Sequence, residues 1–130
     1  MPFDWREFLI VAHRLRNDTS EGAQRTCLGR AYYYAYNHGL AKARAMNFTG
    51  QMPSLHKQLW SWCQNHQDPI IKRMGVEGSR MHSFRIDADY EPVSIQNLAG
   101  RLQKQFSRAQ VFEGLVAQSN GQQPPPPLGP

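Results

Sequence analysis

Two arginines 55 residues apart, Arg30 and Arg85, head the segments of this 130-residue chain that are richest in chemistry. The first segment reads Gly29-Arg30-Ala31-Tyr32-Tyr33-Tyr34-Ala35-Tyr36-Asn37-His38, the second Arg85-Ile86-Asp87-Ala88-Asp89-Tyr90. On a helix, Arg30, Tyr33, Tyr34 and Asn37 stand three, four and seven residues apart and project within one arc, with His38 one turn beyond Tyr34. A guanidinium among tyrosines is a site for an anion or a base: its planar fork suits phosphate, and phenol rings stack. In the second segment Asp89 is placed at i+4 to pair with Arg85, Asp87 can reach another arginine, and His82 stands three residues before Arg85. That is the layout of a phosphate-binding arginine beside an acid–base group. The candidate catalytic residues are Arg85, His82 and His38. The candidate ligand-binding residues are Arg30, Tyr33, Tyr34, Asn37, Arg80, Asp89 and Tyr90. A structural alternative is a tyrosine-rich packing layer with an internal ion pair and a salt-bridged helix end.

Helices must position these groups. Trp5, Phe8, Leu9, Ala12 and Leu15 repeat at three- and four-residue steps, which predicts a helix from Asp4 to Arg16, with Asp4 and Glu7 as a capping pair. A second helix is expected from about Ser20 to Met46, about 40 Å long and the spine of the fold. A short third helix follows from Ser54 to Gln64. The fourth starts at Asp68-Pro69, a cap followed by proline in the first turn, has candidate interruptions at Gly75 and Gly78, and stops at Tyr90-Glu91-Pro92. The fifth is expected from a Ser94 cap to Val116, with Val93 and Leu98 as a hydrophobic staple. No stretch alternates as a strand. The expected fold is an all-α antiparallel bundle of about five helices over residues 1–117, followed by a disordered Gln/Pro-rich tail over 118–130.

Composition sets the remaining bounds. With 40% hydrophobic and 19% charged residues, the chain suits one globular domain with a single core. No apolar run reaches the ~18 residues of a membrane span, and the start has no signal-peptide layout, so the expected location is cytoplasmic. Cys27 and Cys63 are isolated and read as buried free thiols. No Cys/His cluster suggests a metal, and no cofactor is expected. The net charge of +5 is uneven. No Asp or Glu falls between Gly22 and Gln67, a stretch that holds Arg25, Arg30, Lys42, Arg44 and Lys57. None falls between Pro92 and Phe112, which holds Arg101, Lys104 and Arg108. Fields of one sign attract polyanions, so nucleic acid or an acidic protein is the expected kind of partner.

The order Gly-Arg-Ala-Tyr-Tyr in a long second helix, with Arg-x-x-Ala-Asp-Tyr ahead of the last helix, resembles the HEPN family of small prokaryotic helical domains. Two further segments add to the resemblance: Leu55-His56-Lys57-Gln58-Leu59 as a short His-containing helix, and Glu91-Pro92-Val93-Ser94 leading into the last helix. It covers residues 3 to 117. The resemblance implies a compact antiparallel bundle, dimeric through its long helices. It also implies a place among metal-independent ribonucleases and their relatives in toxin–antitoxin, antiviral or CRISPR-linked systems. The family's nuclease motif is an arginine, four to six residues, and a histidine. The arginine would steady phosphate charge while the histidine moves the 2′-hydroxyl proton.

The chain departs from that motif at its decisive position, which reads Arg85-x4-Tyr90, and a phenol is a weak base at neutral pH. Seven residues after Arg30 the family has histidine, and this chain has Asn37; His38 follows one position later, turned by ~100°. The expectation is therefore a HEPN-like homodimer that binds RNA, a nucleotide or a partner protein, with weak nuclease activity or none. A nucleotidyltransferase-like protein is one such partner. The alternatives are an active ribonuclease using Arg85 with His82 or His38, and a structural adaptor.

Overall fold

The computed structural model describes residues 2–128. Among them are five helices and no strand: α1 (Arg6–Leu15), α2 (Glu21–Ala45), α3 (Leu55–Gln64), α4 (Pro69–Tyr90) and α5 (Leu98–Ser119). The all-α bundle read from the periodicity is the observed architecture. Both α2 and α4 start on a side-chain cap. Ser20 Oγ accepts from the Ala23 backbone N–H, and Asp68 Oδ1 accepts from that of Ile70, with Pro69 opening α4. Asp4 Oδ1 accepts from the Arg6 N–H at 3.0 Å, just ahead of α1.

α2 is the spine, and it touches each of the other four helices. Its alanines, glycines and rings are buried on opposite sides, because α1 and α5 cover one side and α3 and α4 the other. Gln105 of α5 is completely buried. Its Nε2 donates to Leu28 O of α2 and to Met81 O of α4, both at 3.1 Å, which ties three helices through one amide. The two cysteines are free and buried, as their positions suggested. Cys27 donates to Ala12 O across the α1–α2 contact, and burial pushes its thiol up to about 11. Cys63 lies at the α3–α4 contact, its thiol pushed up to about 12 by burial.

The structure corrects the sequence reading in three places. Gly75 and Gly78 do not interrupt α4. They let α3 come close: a Cβ at Gly75 would lie 2.7 Å from Cys63 Cβ, and one at Gly78 would run into the Trp60 ring. Second, Ser94 does not cap α5, and Val93 is exposed instead of forming a staple. The helix begins at Leu98, after Asn97 in a left-handed conformation (φ 53°). Here the chain first has to leave the end of α4. Arg25 of α2 holds that segment by donating to Ala88 O, Glu91 O and Val93 O at 3.2, 2.8 and 2.8 Å. Third, α5 continues to Ser119, past its expected end at Val116; of the segment expected to be a tail, residues 129–130 lie outside the described residues. Arg6 Nη2 donates to Pro126 O at 2.8 Å, and Leu128 packs against the core.

Two glycines with opposite surroundings test the packing. Gly78→Ala should lower stability by a net ~1–2 kcal/mol, because overlap with Trp60 outweighs the better helix propensity of alanine. Gly114→Ala, in open space on α5, should raise it by ~0.5–1 kcal/mol. Chemical denaturation of the two variants measures both signs.

Candidate functional site

The tyrosine run of α2 divides around the helix. Successive residues turn by 100°, so Tyr32 and Tyr34 face nearly opposite ways. α2 is covered on both of those sides, so each enters a different cluster. Of the expected ridge, Arg30, Tyr33 and Asn37 share the open stripe of α2, and the buried Tyr34 does not join it. Tyr34 and His38 face α1 and α5, whereas Tyr32, Tyr33 and Tyr36 face α3 and α4.

On the α3–α4 side, aromatic rings form a ladder. His56 of α3 stacks on Tyr36 with centroids 3.9 Å apart and planes 14° apart. His82 of α4 stacks on His56 at 5.1 Å and 11°, and on Tyr32 at 5.1 Å and 24°. The Tyr32 hydroxyl accepts from Trp60 Nε1–H at 3.0 Å and bonds His56 Nδ1 at 2.6 Å. The hydroxyl thus has two partners on α3, the indole N–H that it accepts from and the His56 ring. Burial, then the nearby His82 and Arg85, hold His56 down at about 4. Burial, Arg85 and Lys57 hold His82 below its ordinary value as well.

Arg85 joins this cluster from the next turn of α4. Its side chain is 15% exposed, and its guanidinium carbon lies 5.0 Å over the Tyr33 ring and 5.8 Å from that of Tyr90. The expected Arg85–Asp89 pair is present, with Nε 2.8 Å from Asp89 Oδ2. The N–H at Nε does not point along that contact and has no hydrogen-bond acceptor among the described residues. Asp89 is 39% exposed, so solvent weakens the pair. Beside it lies a hollow of about 250 Å³ lined by Arg25, Thr26, Gly29, Arg30, Tyr33 and Asp89. Arg30 rims this hollow with its guanidinium 4.7 Å over Phe8. The cleft beside Asp89 is thus shared by Arg30 and Tyr33, without Tyr34.

The other candidate residues are placed as follows. Asn37 Nδ2 donates to Tyr33 O of its own helix. Arg80 is mostly exposed, 3.6 Å from Glu77. Tyr90 is 70% exposed at the end of α4. Asp87 reaches an arginine as expected, Arg101 of α5, at 2.9 Å. His38 stands in the cluster on the far side of α2. It lies 4.8 Å from the Tyr34 ring, its Nε2 is buried without a partner, and burial lowers its pKa. Glu113 and Arg6 pair nearby at 2.6 Å. His38 and Arg85 therefore do not meet within one chain, whereas His82 and Arg85 do.

Sequence reasoning named neither Arg25 nor the pair Tyr32 and His56 as site residues. The histidine of the short third helix was the available signal, since one polar ring in an apolar stripe needs a buried partner. Among the described residues no group of three or more His, Cys, Asp or Glu could hold a metal ion.

The neutral histidines give a pH test. An unfolded His56 takes up a proton near pH 6.5, and the folded one only at about 4. Stability from this group is thus complete above about pH 6.5 and is lost as the pH falls toward about 4. Thermal melts between about pH 7 and pH 5 should show the decline, and His56→Gln should flatten it. Compared with known proteins, the chain matches no family model, no curated protein and no solved structure.

Proposed function

We propose that the protein binds RNA or a nucleotide through the α2–α4 face, with Arg85 taking a phosphate and Tyr33 and Tyr90 bordering it. One observation supports this reading above the others. Arg85 is a largely enclosed guanidinium whose one ion-pair partner among the described residues, Asp89, is 39% exposed, and the neighbouring His56 and His82 are both held below their ordinary pKa. An enclosed cation with so little counter-charge favours an incoming anion. Lys57 and Arg30 add to the positive field around it. In this reading the chain is a HEPN-like homodimer of a prokaryotic defence, toxin–antitoxin or mobile-element system, cytoplasmic, with a nucleotidyltransferase-like protein as a candidate partner.

A second reading, a metal-independent ribonuclease, gains support from His82. It lies beside Arg85 and is neutral at physiological pH, the form a general base needs. His38 is set apart by α2 and is not part of this version. Tyr90, at the position of the family's histidine, remains the argument for weak activity or none. An adaptor that engages protein through its helix faces is the reading left if RNA is neither bound nor cut. No described helix is long and apolar enough to cross a membrane.

Fluorescence anisotropy with a labelled single-stranded RNA at several salt concentrations tests the proposal. Arg85→Ala should weaken binding and reduce the salt slope by about one phosphate contact, ~0.7. Its thermal stability should fall by less than ~1 kcal/mol, because the pair with Asp89 is partly solvated. Unchanged affinity in a folded Arg85→Ala variant would refute the assignment. Cleavage in EDTA that disappears in His82→Ala would establish the ribonuclease, and sedimentation mass reports the dimer.

A further inference from the structure

A second hollow lies on the other side of α3, and it differs in chemistry from everything around Arg85. It has a volume of about 990 Å³, within the range of small-ligand sites, and sits between α3 and the loop after α2. Its aromatic wall is Phe48 and Trp62, with centroids 5.6 Å apart, and the His66 ring stands 5.1 Å from Trp62. Its rim carries Asn47, Thr49, Gln51 and Gln67, exposed side chains that make no hydrogen bond to the described residues. In a chain with 25 Lys, Arg, Asp and Glu residues, none of these types lines the hollow.

The loop that forms one wall is held in shape. Gln58 accepts from Gln51 N–H and donates to Gln51 O and Pro53 O, at 3.2, 3.0 and 2.9 Å. Gly50 packs so tightly on Phe48 and Gln58 that a side chain there would collide with both. The site is therefore preformed. It offers the partly exposed Trp62 ring to stack on and amides to read donors and acceptors, with no Lys or Arg to hold a phosphate or carboxylate. Those are the requirements of a nucleobase.

Continuity with the arginine site separates a base from a free sugar, which could also use rings and amides. Ser61 and Asn65 line this hollow and also a smaller one of about 230 Å³. The smaller hollow continues past Lys57 to His82, on the turn of α4 before Arg85. One surface track thus joins a neutral aromatic site to a run of cations. We propose that the hollow of Phe48 and Trp62 takes an unpaired base of a single-stranded RNA whose phosphates cross Lys57 toward Arg85. The proposal rests on the reading of Arg85 as a phosphate site, and it narrows the ligand to a strand with unstacked bases.

Uncharged nucleosides probe the pocket without the phosphate site. Adenosine and uridine, with maltose as the saccharide control, are titrated into the full chain while the three indole N–H signals are followed by NMR. A saturable shift of the Trp62 signal with a nucleoside, while that of Trp60 stays still in its bond to Tyr32, is the expected result. The double variant Gln51→Ala with Gln67→Ala alters only exposed side chains and should weaken nucleoside binding about tenfold, the scale of a lost base contact. Arg85→Ala should leave nucleoside binding unchanged. No saturable shift at Trp62, an equal response to maltose, or full affinity in the double variant would overturn the proposal. Nucleoside binding combined with RNA affinity indifferent to Arg85→Ala would retain the pocket and remove the phosphate site. RNA affinity that depends on Arg85 without nucleoside binding would do the reverse.

Discussion

The hydroxyl of Tyr32 is the constraint around which half the molecule is arranged. The residue is fully buried, and a buried hydroxyl left without partners costs roughly 1–3 kcal/mol. Two partners from α3, Trp60 and His56, satisfy it. To reach it, the Trp60 indole must lie deep between α2 and α4, which requires glycine at 39 and 78, where a Cβ would meet its ring. To reach it from the solvent side, His56 must lie flat on Tyr36, and that leaves the stack on which His82 settles. The position of the imidazoles beside Arg85 therefore follows from a hydrogen-bonding requirement on the neighbouring helix.

A second constraint acts from the opposite end of α4. Arg25 gathers three backbone carbonyls, which fixes where α4 stops and how the chain leaves it. Arg85 and Asp89 lie on the last turns of that helix, so their position relative to Tyr33 and Arg30 is set by Arg25. The two arginines on the same face thus differ in kind. Arg25 is saturated by carbonyls and by Glu21 at 2.8 Å, whereas Arg85 keeps an N–H without an acceptor among the described residues, beside the partly exposed Asp89.

Much of this was legible in the sequence, and what was not has physical reasons. Apolar periodicity and the Asp68-Pro69 start gave α2, α3 and α4 to within a residue or so at each end, because those signals are local. Ser94 looked like a cap for the same local reasons, but Arg25, nearly 70 residues earlier, binds the Val93 carbonyl and the helix starts only at Leu98. Gly75 and Gly78 looked like breaks because their value lies in what α3 places against them. Arg30, Tyr33 and Asn37 do share the open stripe of α2, but Tyr34 was misplaced, because α2 is covered on two further sides and a turn of 100° carries Tyr34 into one of them. The pairing of Arg85 with Asp89 and the placing of His82 next to it were readable, since both are one-turn relations on a single helix. The partnership of His56 with Tyr32 joins two helices, so the polar ring on α3 signalled the need for a partner without identifying it.

The two buried thiols, described above only as packing, have a practical consequence. Cys27 is locked at the contact of α1 with α2, and Cys63 at that of α3 with α4. Burial both hides them and suppresses the thiolate, the species that reacts with alkylating agents. Each can be modified only when its own contact opens. The labelling rates of the two cysteines are thus two independent clocks, one for detachment of the first helix and one for separation of the helices that carry the histidine stack. The native sequence already contains the probes needed to ask which part of the bundle loosens first.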